Sequence, residues 1–248
     1  MSSSSTSRPS MSIRAECTPS RVHGPPPSWQ SLRRMSTGAL CAAILDRGSP
    51  SSVVGVEPSD GFLATAKQNL AGRATLHRGT ASAIPLDDAS IDVVVSGLVL
   101  NFVPDQPAAL VEMERVANKG GTIAAYAWDY AGKMELMRIF WDAAVELDPD
   151  AAKLDERVRF PLCRPEALES LFAGAGLAEV EVGFIDVPTP FTDFEDYWRP
   201  FLGGQGPAPS YAMSLWHFNQ TVILREAKFY APAFFACVNA SAPSFRAS

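Results

Sequence analysis

The residue in this chain best suited to bind a ligand is Glu57. It ends the apolar run Val53-Val54-Gly55-Val56, and Pro58-Ser59 leads on to a segment with Phe62, Leu63, Ala66 and Leu70 on one helical face. A parallel strand that carries a carboxylate to its C-terminal edge is how open α/β sheets hold the ribose hydroxyls of a nucleoside cofactor. Such a carboxylate works with a glycine-rich loop one strand earlier, and only Thr37-Gly38 stands where that loop would end. Other chemistry-bearing groups are scattered. Cys17, Cys41, Cys163 and Cys237 lie far apart, with no Cys-x-x-Cys pair and no histidine at ligand spacing. Neither a metal site nor a disulfide framework is expected, and a reducing compartment is the plain reading. His23, His77 and His217 sit in unrelated contexts and take no role.

The elements that must position Glu57 begin near residue 37. Residues 38–45 read as a helix stopped near Gly48 and Pro50, followed by a strand at 52–57, a helix at 60–71 and a short strand at 74–78. Residues 91–96 form a nearly all β-branched run, the pattern of an inner strand of a parallel sheet. Asp105 is the N-cap and Pro107 the first-turn proline of a helix at 106–117, with Ala109, Leu110, Met113 and Val116 on one face. Gly120-Gly121 ends that helix, and 122–128 is the next strand. Helices follow at 133–147 and 164–175, then an alternating edge-like strand at 180–185 and a short aromatic helix at 193–202. Gly203 to Pro207 reads as loop, and 229–238 is apolar enough for a strand. Strands alternating with helices of this length imply βαβ units with right-handed crossovers.

Composition sets the outer bounds. With 248 residues, 47% of them hydrophobic and 10% aromatic, the chain can bury one sizeable core. Residues 1–35 carry five Arg and one Glu, and 216–248 carry two Arg, one Lys and one Glu, so the formal −6 leaves about −12 on 36–215. An acidic core is set against nucleic-acid binding, which needs clustered Lys and Arg on the phosphates. No apolar run reaches the ~18 residues of a membrane span. Three units are expected: a Ser/Arg/Pro-rich disordered tail at 1–35, an α/β domain at 36–215, and an atypical segment at 216–248. The loss of pattern near 35 and again near 216 is read as junctions of a gene model or splice form. A cytoplasmic location is expected, with an N-terminal transit peptide to an organelle as the alternative.

Several stretches together resemble a known family, the class I S-adenosylmethionine-dependent methyltransferases of the small-molecule "type 11" or UbiE-like kind. They are the acid-terminated strand 53–57, the Gly79-Thr80-Ala81-Ser82-Ala83-Ile84-Pro85-Leu86 segment and Ala89-Ser90-Ile91-Asp92-Val93-Val94-Val95-Ser96. Leu110-Val111-Glu112-Met113-Glu114-Arg115-Val116 before Gly120-Gly121-Thr122, and Leu171-Phe172-Ala173-Gly174-Ala175-Gly176-Leu177, complete the series. The resemblance spans about 37–205 and implies a Rossmann-like α/β fold, a mostly parallel sheet with helices on both faces. It implies S-adenosylmethionine as cofactor and a small-molecule methyl acceptor as partner. By position, Glu57 would accept from both ribose hydroxyls, Pro58 would pack beside the adenine, and Thr80-Ala81 would edge the ring. Ser96 would close the floor beneath the sulfonium, and Thr37-Gly38 would end the loop at the methionine carboxylate.

Two departures stand out. The family expects an apolar strand, an acid and Gly-x-Gly-x-Gly ahead of the helix that starts near Gly38, and residues 28–36 hold none of these. That strand is the first and central one; without it both neighbours lose a partner and expose apolar surface. The second departure is Thr80, which stands where an acid is often found at the adenine edge.

Methyl transfer from a sulfonium is an in-line displacement, so the enzyme chiefly aligns its reactants. Asp129, just past the strand 122–128, is the candidate base, with Trp128 and Tyr130 as pocket walls and Asn101 as a second acceptor contact. Met134, Met137, Phe140 and Trp141 share a face that reads as core or as the wall of an apolar acceptor pocket. Two rivals remain. One is a non-catalytic Rossmann-like remnant serving as a binding module, which the incomplete glycine loop favours. The other is an NAD-dependent oxidoreductase, which needs a Gly-x-Gly-x-x-Gly fingerprint that the chain lacks.

Overall fold

The computed structural model describes residues 37–187, 189–203 and 206–214, together with the backbone of 233–241. The expected tail at 1–35, and within the C-terminal segment 216–232 and 242–248, lie outside the described residues.

Among the described residues six strands form two separate sheets. Strand β1 (Val54–Glu57) pairs in parallel with β2 (Thr75–Arg78) and, among the described residues, with nothing else. The second sheet holds β3 (Ile91–Gly97), β4 (Ala117–Trp128), β5 (Ala178–Val187) and β6 (Ala233–Ser241) in the order β3-β4-β6-β5. β3 and β4 are parallel, whereas β6 runs antiparallel between β4 and β5. Among the described residues the expected inner strand at 91–96 is therefore an edge. There it bonds to β4 alone, and its Val93 is 43% exposed. No described residue forms the strand that the resemblance places between β1 and β3. The expected strand at 229–238 is β6, shifted to Ala233–Ser241.

Helix α1 (Ala39–Gly48) touches both sheets. A β-carbon on Gly55 of β1 would stand 3.2 Å from the Cys41 sulfur, and one on Gly97 of β3 would stand 3.0 Å from Leu40 Cδ2. Both glycines let this helix approach the backbone closely. Yet α1 buries none of its own residues. Helix α2 (Asp60–Leu70) follows β1, its N-terminus capped by the Ser59 hydroxyl, which accepts from Phe62 N. It buries Leu63, Ala66 and Leu70, but Phe62, expected on the same face, is 46% exposed.

Helix α3 (Gln106–Val116) has the expected anatomy. Asp105 accepts from Ala108 N at 2.9 Å, proline stands in the first turn, and Ala109, Leu110, Met113 and Val116 are buried. The following strand starts earlier than Gly120-Gly121 suggested, because β4 pairs from Ala117 opposite Ile91 and then shifts register before Thr122. These elements and helix α6 (Pro165–Gly174) enclose one core around Leu110, Ile123, Leu168 and Phe172.

A second core is aromatic and belongs to the helical insert after β4. Helix α4 (Glu135–Leu147) packs Phe140 and Trp141 against α7 (Phe194–Trp198) and α8 (Pro207–Ser214), an element that sequence patterning did not foresee. The Phe140 ring stacks on Phe201 at 4.6 Å and meets Trp141 edge-on at 5.1 Å. Between α4 and α6 runs a short helix, α5 (Glu156–Arg159). No helix among the described residues is long and apolar enough to cross a membrane.

Candidate functional site

The first group of candidate residues gathers at the end of β1. Glu57 is half-buried, and its Oε1 accepts the Ser59 amide at 2.9 Å as the chain turns into α2. Its backbone carbonyl accepts Gly79 N at 3.4 Å, so the end of β1 is tied to the start of the loop after β2. Pro58 and Thr80 are exposed and Ala81 is half-buried. A bridge from Ala83 N to the Thr80 carbonyl, 3.2 Å long, folds that loop back on itself. Glu57, Pro58, Thr80 and Ala81 thus stand as neighbours.

Thr37 and Gly38 stand elsewhere. The Thr37 carbonyl accepts from the Asn69 side chain at 3.0 Å, and Gly38, with φ +89°, lies against Ala66 and Leu70. These are residues of the last turns of α2, about 13 Å along the helix from the end that follows Glu57. The structure does not bring the pair to the carboxylate.

The second group lies at the ends of β3 and β4. Ser96 is buried, and so is Asn101 in the 3-10 turn Leu100–Phe102. Both polar atoms of the Asn101 side chain, Oδ1 and Nδ2, are buried without a hydrogen-bond partner. A buried amide left unpaired costs roughly 1–3 kcal/mol, so it is a candidate for a ligand contact. Trp128 is half-buried, and Asp129 and Tyr130 are buried. Asp129 closes its own loop: Oδ1 accepts Gly132 N at 2.8 Å and Oδ2 accepts Lys133 N at 3.1 Å. A β-carbon on Gly132 would stand 2.5 Å from Asp129 Oδ2, so a side chain there would displace the carboxylate.

Phe160, which the sequence reading missed, joins this group. Tyr130 stacks on it at 5.6 Å and Phe102 meets it edge-on at 5.0 Å, so one ring links the Asn101 turn to the end of β4. Burial, and to a lesser degree electrostatic repulsion by Glu156 and Cys163 in their ionised forms, pushes the Tyr130 phenol well above its usual range. Burial likewise raises the Cys163 thiol.

Behind the aromatic wall lie buried charges that no spacing in the sequence announced. Asp155 takes both guanidinium arms of Arg138, at 3.0 and 2.6 Å, and Arg157 Nε at 2.8 Å. Glu156 accepts from Trp141 Nε1 and from Ala208 N, and burial raises its pKa. Only the Asp-Glu pair at the head of α5 hinted at a cap, and nothing local marks it as buried. Met134, Met137, Phe140 and Trp141 are all buried within the aromatic core, as the packing reading of that face expects. Among the described residues no group of three His, Cys, Asp or Glu could hold a metal ion.

Comparison with known proteins adds to this geometry. Residues 35–125 match a family described as "Methyltransferase domain". A demethylmenaquinone methyltransferase of Shouchella clausii is 38% identical over 91 residues, covering 35% of this chain and 37% of that one. A malonyl-[acyl-carrier protein] O-methyltransferase of Serratia marcescens is 36% identical over 87 residues, 35% of this chain and 33% of its own length. The matched stretch thus covers about a third of these curated relatives. Among solved structures, the YcgJ protein of Bacillus subtilis superposes with a TM-score of 0.56 at 14% identity, over 85% of this chain and 90% of that one. That likeness is one of fold.

Proposed function

We propose, from the premise that this chain belongs to the class I S-adenosylmethionine-dependent methyltransferases, that it transfers a methyl group from S-adenosylmethionine to a small-molecule acceptor. The observation that carries the reading is Glu57, placed at the end of a parallel strand and tied through its backbone to Gly79. Ser59 N occupies Oε1, which fixes the carboxylate while leaving lone pairs for two ribose hydroxyls. Pro58 and the Thr80-Ala81 edge would flank the adenine, and Ser96 would form the floor under the sulfonium. The ribose and adenine end therefore has residues that fit the cofactor. The methionine end does not, because Thr37 and Gly38 pack on the far end of α2.

When bound, the cofactor supplies an activated methyl group. The chain's own residues would hold the acceptor in line with it: Asn101 through its orphan amide, Trp128 and Tyr130 through their rings. Asp129 would serve as base where the acceptor's nucleophile needs one, in competition with the two amides that its oxygens already accept. A small-molecule acceptor accords with demethylmenaquinone, named in the first relative.

Calorimetric titration of the purified full chain with S-adenosylmethionine tests the proposal. A saturable one-site isotherm, abolished in Glu57→Ala, is expected. Absence of heat at millimolar ligand overturns it. That outcome favours the second reading, a Rossmann-like binding module without catalysis, which the incomplete glycine loop before Gly38 supports.

A further inference from the structure

The loop from Gly79 to Ser90 is held by two side chains of α3 that the methyl-transfer reading does not use. Arg115 Nη2 donates to the Ile84 carbonyl at 2.8 Å, and Nη1 donates to the Leu86 carbonyl at 2.9 Å and to Asp88 Oδ1 at 2.6 Å. Glu112 locks the guanidinium from behind, its Oε1 accepting from Nε at 2.8 Å and its Oε2 from Nη2 at 2.8 Å. The same Oε2 accepts Ile84 N at 2.8 Å, so both backbone groups of Ile84 are gripped by one ion pair. Beyond it, Ala89 N and Ser90 N donate to the Arg115 and Val116 carbonyls, each at 2.9 Å, which satisfies the end of the helix.

Upstream, Gly79 N is fixed to the Glu57 carbonyl. Thr80-Ala81 is therefore strung between two anchors, Glu57 on one side and the ion pair at Ile84 on the other. We propose that Glu112 and Arg115 are positioning residues that set the height of the Thr80-Ala81 edge relative to the Glu57 carboxylate, and so the fit of the nucleoside base. The inference rests on the reading that this edge meets the adenine of the cofactor.

Arg115→Lys keeps the charge but lacks the planar fork that serves Glu112, Ile84, Leu86 and Asp88 at once. Two measurements on the full chain are decisive: hydrogen exchange without ligand, and the Kd for S-adenosylmethionine by calorimetry. Arg115→Lys is expected to speed exchange of the loop amides 81–86 while those of 109–113 in α3 keep wild-type rates, and to weaken cofactor binding about tenfold. Asp88→Asn, which removes only the exposed arm, is expected to stay within about twofold. A global loss of stability would instead raise exchange in α3 as well. Should Arg115→Lys fail to fold, Glu112→Gln gives the same two readouts. Faster loop exchange with an unchanged Kd overturns the proposal, as does exchange at the wild-type rate. Failure of the wild type to bind overturns the cofactor reading first and this inference with it, whatever the loop amides do.

Discussion

The half of the molecule that carries Glu57 is built differently from the half that carries Asn101 and Asp129. Around β1 and β2 the buried apolar residues are Val53, Leu63, Ala66 and Leu70, and α1 contributes none. Around β3 to β6 there are two cores, with Phe140, Trp141, Leu168 and Phe172 fully enclosed. A four-residue strand paired on one side among the described residues gains little from burial, whereas β4 is paired on both sides from Thr122 to Tyr126. The difference teaches that the proposed acceptor end stands on the more deeply packed scaffold. The proposed nucleoside end depends on α1, on three buried α2 side chains and on the grip of α3.

The largest expected effect lies in the stronger half. Asp155→Ala leaves Arg138 buried beside no acid and should cost about 3–5 kcal/mol in chemical denaturation. Its exposed counterpart in the weaker half, Asp46→Ala opposite Arg73, should cost under about 1 kcal/mol. Equal losses would break the contrast. Next, Phe140→Ala removes a ring stacked on Phe201 and should cost roughly 3–5 kcal/mol globally. Leu70→Ala should lower protection of β1 and β2 amides while β4 keeps its own, since local opening can precede global unfolding. Native-state hydrogen exchange separates the two, and β1 amides that open only with the whole molecule would contradict the picture.

A smaller effect is expected at the Asp129 loop. Asp129→Asn turns one acceptor into a donor facing Lys133 N or Gly132 N and should cost about 1–3 kcal/mol by thermal denaturation. The smallest is a pH effect in the grip on the loop. Hydrogen bonds from Arg115, then from Ile84 N, hold Glu112 down at about 2 from its ordinary 4.5. Its folded-state pKa lies below the unfolded one, so its stabilisation is present above that ordinary value and is lost as pH falls from 4.5 toward about 2. Glu112→Gln should flatten the stability profile across that window and leave it unchanged in shape above pH 5 or so.

What was legible in the sequence was what local rules govern. α3 is the clearest case: the Asp105 cap, the first-turn proline and the face Ala109, Leu110, Met113 and Val116 all follow from contacts within four residues. Glu57 was legible because strand, acid and helix follow one another directly. Phe62 went astray because burial depends on what covers a helix face, and the described residues leave it 46% exposed. Asp155, Glu156 and Phe160 were invisible for the complementary reason: their partners Arg138, Trp141, Phe102 and Tyr130 lie 15 or more residues away, mostly in other elements.

By itself, the sequence determined the alternation of strands and helices, the carboxylate at the end of β1 and the lack of a glycine loop before Gly38. Those are matters of residue type and short spacing. Tertiary structure alone decided that α1 touches both β1 and β3, and that Thr37-Gly38 docks at the wrong end of α2 to reach Glu57. Packing and burial are set by which distant segments meet, and no local pattern encodes that meeting.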